Sequence, residues 1–214
     1  MKKICLPVLF FCIIGISYGK NDAPAVTLLN YTGKITINNK NITDVGHPVR
    51  YGDVIKTGAL SVCDILVNEK SIIRLWENTA LTYKVSEKEN RLILDSGYIA
   101  AVTRKKFTKS GVYIVQTPTV SASVRGTSFC VKVENAKSVY FCVCNGKIDL
   151  AARKGGKKIT VESAHHTAQR FVKKDDGSIT VEKNAGLLYH NDEGLEKLAA
   201  AIDEKIDWTK PDER

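Results

Sequence analysis

From Gly33 onward the chain is a succession of short runs in which apolar and polar residues alternate, each closed by glycine, asparagine or a charged turn. Gly33-Lys-Ile-Thr-Ile37 is the first. It is followed by Val54-Ile55, Ser61–Val67, Ser71–Leu75, Ala80–Val85, Arg91–Leu94, Gly97–Val102 and Val112–Gln116. Alternation places every second side chain on one face of a strand, and breaks every eight to twelve residues or so mark an all-β chain. Ser138–Cys144, Gly146–Leu150, 157–161 and 167–172 extend the pattern, and Asp176-Gly177 is a hairpin signal before Ser178–Val181. The period changes only near the end. Asn191 or Asp192 can cap a helix, and Leu195, Leu198, Ala199, Ile202 and Ile206 then fall at helical spacing, a stripe expected to pack on the β body.

The stretch Gln116–Val133 is the centre of this pattern. Thr117-Pro118 is a turn, because proline fixes φ and removes a donor. A strand of small residues follows, then a break at Arg125-Gly126-Thr127, then alternating Phe129, Val131 and Val133. Two readings of Arg125 stand side by side: a surface arginine at a strand–bend–strand corner, or an arginine pinned by a carboxylate or carbonyls to fix that corner. Gly33-Lys34-Ile35, Gly97-Tyr98-Ile99 and Gly146-Lys147-Ile148 each restart a strand from a glycine. This loose echo suggests a roll or solenoid-like stack of short strands with glycine corners. Ordinary hairpin glycines give the same pattern.

Residues 1–19 read as a secretory signal: Lys2-Lys3, an apolar run from Ile4 to Ile16, and small residues Ser17 and Gly19 before a cut ahead of Lys20. The run is shorter than the ~20 residues that span a bilayer, so no stable membrane span is expected after cleavage. Cys12 follows the bulky Leu9-Phe-Phe11, which argues against a lipoprotein cut. The expected organisation is a signal (1–19), an N-terminal lead (20–31), a β domain (32–183) and a C-terminal helix with a polar tail (184–214). Losing Lys2 and Lys3 takes the formal charge from +9 to +7. That charge is dispersed in clusters at 104–109, 153–158 and 173–174. Export and the lack of an aromatic–basic strand pattern exclude nucleic acid as a partner. Anionic glycan or lipid headgroups remain compatible.

Candidate chemistry is sparse. Cys63, Cys130, Cys142 and Cys144 survive cleavage, and export permits disulfides. A turn at Glu134–Ser138 that sets Val133 opposite Val139 also sets Cys130 opposite Cys142. A cross-strand disulfide is conceivable there, against four thiols serving as small core residues. Cys142-x-Cys144 lacks the two-to-four-residue spacing usual in metal hairpins, and adjacent His165 and His166 on a strand point to opposite faces, so no metal or other cofactor is expected. No Gly-x-Ser-x-Gly elbow, His-Glu-x-x-His pair or phosphate loop occurs. Nothing is placed to activate Ser121, Ser123 or Ser128, and Asp53, Asp64 and Glu77 form no evident catalytic pair. The chain therefore reads as a non-enzyme.

The ordered motifs resemble the FecR family domain of bacterial envelope proteins, from about Gly33 to about Leu150. Val49-x-x-Gly52-Asp53-x-Ile55-x-Thr57-Gly58 is similar to the family's GD-x-ϕ-x-TG turn, and Ser71-Ile-Ile-Arg74-Leu75 to its GS-x-ϕ-R-L strand, with Lys70 in place of glycine. Leu92–Gly97, Thr117-Pro118, Arg125-Gly126-Thr127-x-Phe129 and the closing Val139–Val143 with Gly146-x-Ile148 complete the set. The resemblance implies an all-β, solenoid-like roll in the periplasm, and it makes Arg125 a structural corner residue. Some family members add a cytoplasmic anti-sigma segment and a membrane helix. This sequence shows neither after the signal, so a sigma-regulating role is not carried over. What the resemblance implies is an exported sensing or adaptor module that binds an envelope protein, with strand addition at an exposed edge as the expected mode and salt-tolerant binding. The alternative is a peptidoglycan- or glycan-associated module, supported by dispersed Lys/Arg and by Trp76, Tyr83, Tyr98 and Tyr113, whose binding would be salt-sensitive.

Overall fold

In the computed structural model, residues 26–69, 71–85, 90–103, 112–152 and 158–212 are described. The expected signal segment with its expected cut after Gly19, the first residues of the expected lead, Lys70, and the basic clusters at 104–109 and 153–157 lie outside them. The elements are β1 Val26–Thr32, β2 Ile35–Ile37, β3 Lys40–Asn41, β4 Val54–Thr57, β5 Val62–Val67, β6 Ser71–Leu75, β7 Ala80–Val85 and β8 Asn90–Thr103. They continue with β9 Tyr113–Gln116, β10 Val120–Asn135, β11 Ser138–Ala152, β12 Ile159–Ser163, β13 Thr167–Lys173, β14 Ile179–Lys183 and α1 Asp192–Ala200. The all-β body with one short helix matches the hydropathy pattern. The lead is shorter than expected: from Val26 it is β1, which pairs with β5 and buries Val26 and Leu28.

The described strands form one open sheet, in the order β14-β13-β11-β10-β9-β8-β7-β4-β2-β3, with β1, β5 and β6 branching from β8 and β12 lying on β11. Apart from the parallel pair β8–β9, the pairings are antiparallel. The open sheet does not confirm the expected solenoid-like stack.

The expected breaks at Gly97, Gly126 and Gly146 are bends inside continuous strands. All three glycines have positive φ, at 88°, 103° and 117°. Between Val124 and Thr127 the β10 strand carries one residue more than its β11 partner, whose matching positions are Ile148 and Gly146. That is a bulge, which kinks a strand and sharpens its twist. One half of β8 therefore pairs with β7 and β9, and the other with β6 and β10.

Both halves turn one face to a common core. Ile55, Leu81, Leu92 and Val115 from one half join Ile65, Ile73, Phe129 and Phe141 from the other. Phe129 and Phe141 stack at 5.7 Å between centroids. The opposite face of β6, β8, β10, β11 and β13 carries a second apolar layer. There Ile72, Ala100, Val102, Tyr140 and Ala168 meet Leu195, Leu198, Ala199 and Ile202. The helix forms as its sequence predicts: Asn191 accepts from Gly194 N, Asp192 and Glu193 occupy the first turn, and the apolar stripe faces inward. Burying each leucine there contributes about 1.5–3 kcal/mol.

Candidate functional site

The motif residues hold turns and corners. Asp53 accepts from Arg50 N and Asn38 Nδ2, each at 2.7 Å, closing the turn that Gly52 enters with φ 89°. Thr57 donates to Trp76 O and accepts from Thr79 N at 2.9 Å, and Gly58 N reaches Lys34 O. Gly97 packs directly on Thr79, whose Oγ1 accepts from Tyr98 N at 3.0 Å. Thr117 Oγ1 bonds both polar backbone atoms of Val120 across the Pro118 turn. Gly146 lies against Thr127 and the Asp212 carbonyl.

The structural arginine is Arg74. Its Nε and Nη2 donate to the two oxygens of Asp64, directly opposite on β5, at 2.7 and 2.8 Å. Asp64 is 2% exposed and accepts a further bond from Asn30. Arg125 is not pinned. It is exposed, sits at the bulge beside Ser123, Lys147, Asp149 and Glu162, and makes no hydrogen bond or ion pair among the described residues. Thr127 holds the corner instead, through bonds between its backbone N and O and Thr103 Oγ1 at 2.8 and 2.9 Å. Of the aromatics expected to face a glycan, Tyr83, Tyr98 and Tyr113 are core residues, and Trp76 stacks on Tyr98 at 4.2 Å.

The chemically richest cluster lies under α1. Cys142 and Cys144, two apart on β11, share the face that the helix covers, while Phe141 and Val143 point into the main core. Cys130 stands opposite Cys142, as the turn at 134–138 predicts. The four cysteines are free thiols, however, and the sulfur approached by Cys130 is that of Cys144, at 3.8 Å.

Two histidines complete the cluster. His166 N bonds Cys144 O at 2.9 Å, and its φ of 51° breaks the strand between β12 and β13. For that reason His165 and His166 do not diverge as strand neighbours should. Their Nε2 atoms meet the two oxygens of Asp192 at 2.9 and 2.7 Å. His190, just before the helix cap, brings Nε2 to 3.3 Å from Cys144 Sγ and 3.1 Å from His166 Nδ1, while His166 Nδ1 lies 3.7 Å from Cys142 Sγ. One donor atom each from Cys142, Cys144, His166 and His190 lies within 4.8 Å of the others.

Rings and the C-terminal segment close over this group. Trp208 packs on His165 and His166 at 4.9 and 5.1 Å, and Tyr140 meets His190 at 6.4 Å. Asn145 Nδ2 holds the segment down by sharing its hydrogens among the carbonyls of Ala164, Asp207 and Lys210 at 2.8–2.9 Å. A cavity of about 370 Å³, lined by Trp76, Ala100, Tyr189, His190, Asn191 and Leu195, opens beside His190.

A hydrogen bond from Cys144, then those from His166 and His190, outweigh burial and lower the Cys142 pKa. Burial, reinforced by Cys130 and Cys142, raises that of Cys144. Burial opposes a charge on His190, but Cys130 and Cys142 raise its pKa. Cys142, His166 and Asp192 follow one another as a nucleophile, base and carboxylate would. Yet Cys142 and Cys144 are fully buried, so no acyl group can approach them. What the arrangement can do is hold an ion. The spacing rule for metal hairpins missed it because the ligand types come from β11, the β12–β13 turn and the helix approach. The readable signal was Cys-x-Cys within a strand, which puts both thiols on one face.

Among the described residues no helix is long and apolar enough to cross a membrane. No curated protein matches the chain. Two crystal structures of a candidate anti-sigma factor from Parabacteroides distasonis ATCC 8503 are similar, at 15% identity with TM-scores of 0.49 and 0.48. The similarity covers 61% of this chain and 59% of that one, so the chain spans well under two thirds of its length. The sequence model of the family described as FecR protein matches residues 53–149, from the Gly52-Asp53 turn to the end of the closing motif, and that segment is a FecR domain.

Proposed function

We propose that this chain is an exported, non-catalytic sensing or adaptor module of the cell envelope that binds another protein. The observation that carries the reading is a FecR domain built into an open sheet with a free edge. β14 ends the strand order, and among the described residues its outer edge is unpaired. Thr180 to Lys183 are exposed along it, and Leu187 and Leu188 follow at 48% and 51% exposure. An edge with unpaired backbone groups beside an apolar patch accepts an added strand. The burial of Tyr83, Tyr98 and Tyr113 leaves only the half-buried Trp76 of the aromatics that favoured a glycan-binding module.

The test places a photocrosslinking residue at Thr180 or Leu187, with Lys56 as an exposed control, in cells expressing residues 1–214. A discrete protein adduct at the first two positions and not at Lys56, formed at high salt, is the expected result. Salt-labile recovery of sacculus without a protein adduct overturns it. N-terminal sequencing of the periplasmic fraction is expected to begin at Lys20.

A further inference from the structure

We propose that Cys142, Cys144, His166 and His190 form a tetrahedral binding site for a zinc-type divalent cation, which fastens the C-terminal helix to the sheet. The donor set is two thiols and two imidazoles, the chemistry of structural zinc sites.

The spacing fits as well. With metal–sulfur bonds of about 2.3 Å and metal–nitrogen bonds of about 2.0–2.1 Å, a tetrahedron has sulfur–nitrogen edges near 3.5 Å and a nitrogen–nitrogen edge near 3.3 Å. The corresponding separations here are 3.7 Å for Cys142 to His166, 3.3 Å for Cys144 to His190, and 3.1 Å between the two ring nitrogens.

The lone pairs also point the right way. Asp192 meets His166 at Nε2, so the other ring nitrogen, Nδ1, is the one that faces the thiols. A carboxylate behind a histidine ligand fixes its tautomer and raises its basicity in this manner. Asp192 belongs to the first turn of α1, so the outer partner of the site is the helix itself. The cavity beside His190 offers an entry path. His165 bonds Asp192 rather than the thiols and is half exposed, so it is a neighbour rather than a ligand. Among the described residues Cys130 is the one further thiol in reach, and its proximity to Cys144 makes a disulfide the competing outcome.

The test uses the chain purified from cells expressing residues 1–214, stripped of metal under reducing conditions and titrated with zinc and with cobalt(II). Expected are one ion per chain, a thiolate-to-cobalt charge-transfer band with the visible bands of a tetrahedral site, and a rise in Tm on adding zinc. Cys142→Ser and His190→Asn are expected to weaken binding at least 100-fold. Asp192→Asn should weaken it by about 10- to 100-fold, as loss of an outer partner does. Cys63→Ser, on the other face, should leave it unchanged. In case the ligand variants fail to fold, X-ray absorption on the zinc-loaded wild-type chain should give two sulfur and two nitrogen neighbours. The proposal is overturned by no bound ion, by binding of copper(I) alone, by a different neighbour count, by loss of binding in Cys130→Ser with retention in Cys142→Ser, or by a Cys130–Cys144 disulfide in the exported chain.

Discussion

Replacing Arg74 by methionine isolates one buried electrostatic commitment of the fold. Two charge-assisted hydrogen bonds, at 2.7 and 2.8 Å, then disappear from a carboxylate that is 2% exposed. Asp64 keeps only the 3.0 Å bond from Asn30. Charges about 4 Å apart at an effective dielectric near 20 attract by about 4 kcal/mol, and breaking a buried pair costs about 3–5 kcal/mol. Arg74 is 27% exposed, so water can reach the vacated side, and the expected loss is at the lower end, about 3 kcal/mol. With a urea m-value of roughly 2 kcal/mol/M, the midpoint falls by about 1.5 M. Urea denaturation followed by Trp fluorescence measures it. The double variant Asp64→Asn/Arg74→Met removes the stranded charge and should recover at least about 1 kcal/mol relative to Arg74→Met. A single-variant loss below about 1 kcal/mol, or a double-variant loss equal to the sum of the singles, refutes the reasoning.

Gly97→Ala forces a β-carbon into Thr79 at a φ of 88°, and a cost above about 3 kcal/mol is expected, read as loss of cooperative thermal unfolding. Burial alone would raise the Glu134 pKa, but hydrogen bonds from Arg170, Ser138 and Tyr189 outweigh it and hold the carboxyl below its ordinary 4.5. Its stabilisation is therefore present above pH 4.5 and lost as pH falls through the lower folded value. The advantage of wild type over Glu134→Gln, about 1 kcal/mol at neutral pH after solvent screening, should vanish in acid denaturation series. Asn145→Ala releases the carbonyls of Asp207 and Lys210, and limited proteolysis near 207–210 should accelerate about tenfold.

Much of this fold was legible because alternation is a local property. The strands, the Asn191 cap and the Leu195–Ile202 stripe are each written in consecutive residues. Arg74 was legible as a motif, but its partner Asp64 was not, because cross-strand register depends on the whole sheet. The continuity of β8, β10 and β11 was hidden for the opposite reason. A glycine with positive φ reads as a stop, yet inside a bulge it lets the strand bend and go on. The Cys/His cluster was obscured by assuming that His165 and His166 keep strand geometry. One residue with φ of 51° undoes that assumption. Arg125 was raised to a corner role by resemblance, while the physical work falls to the Thr103–Thr127 pair.

The bent strands set the size of what can fold. β8, β10 and β11 each belong to both halves of the sheet, so neither half owns a complete set of hydrogen bonds. The matched segment, 53–149, stops within β11 and omits β1 and β13, whose Val26, Leu28 and Phe171 fill the common core. A fragment cut at those bounds would expose the flank of β5 that β1 covers and the flank of β11 that β13 covers. The unit that melts as one is therefore larger than the unit that sequence comparison delimits, and the two should not be interchanged when the chain is cut for expression.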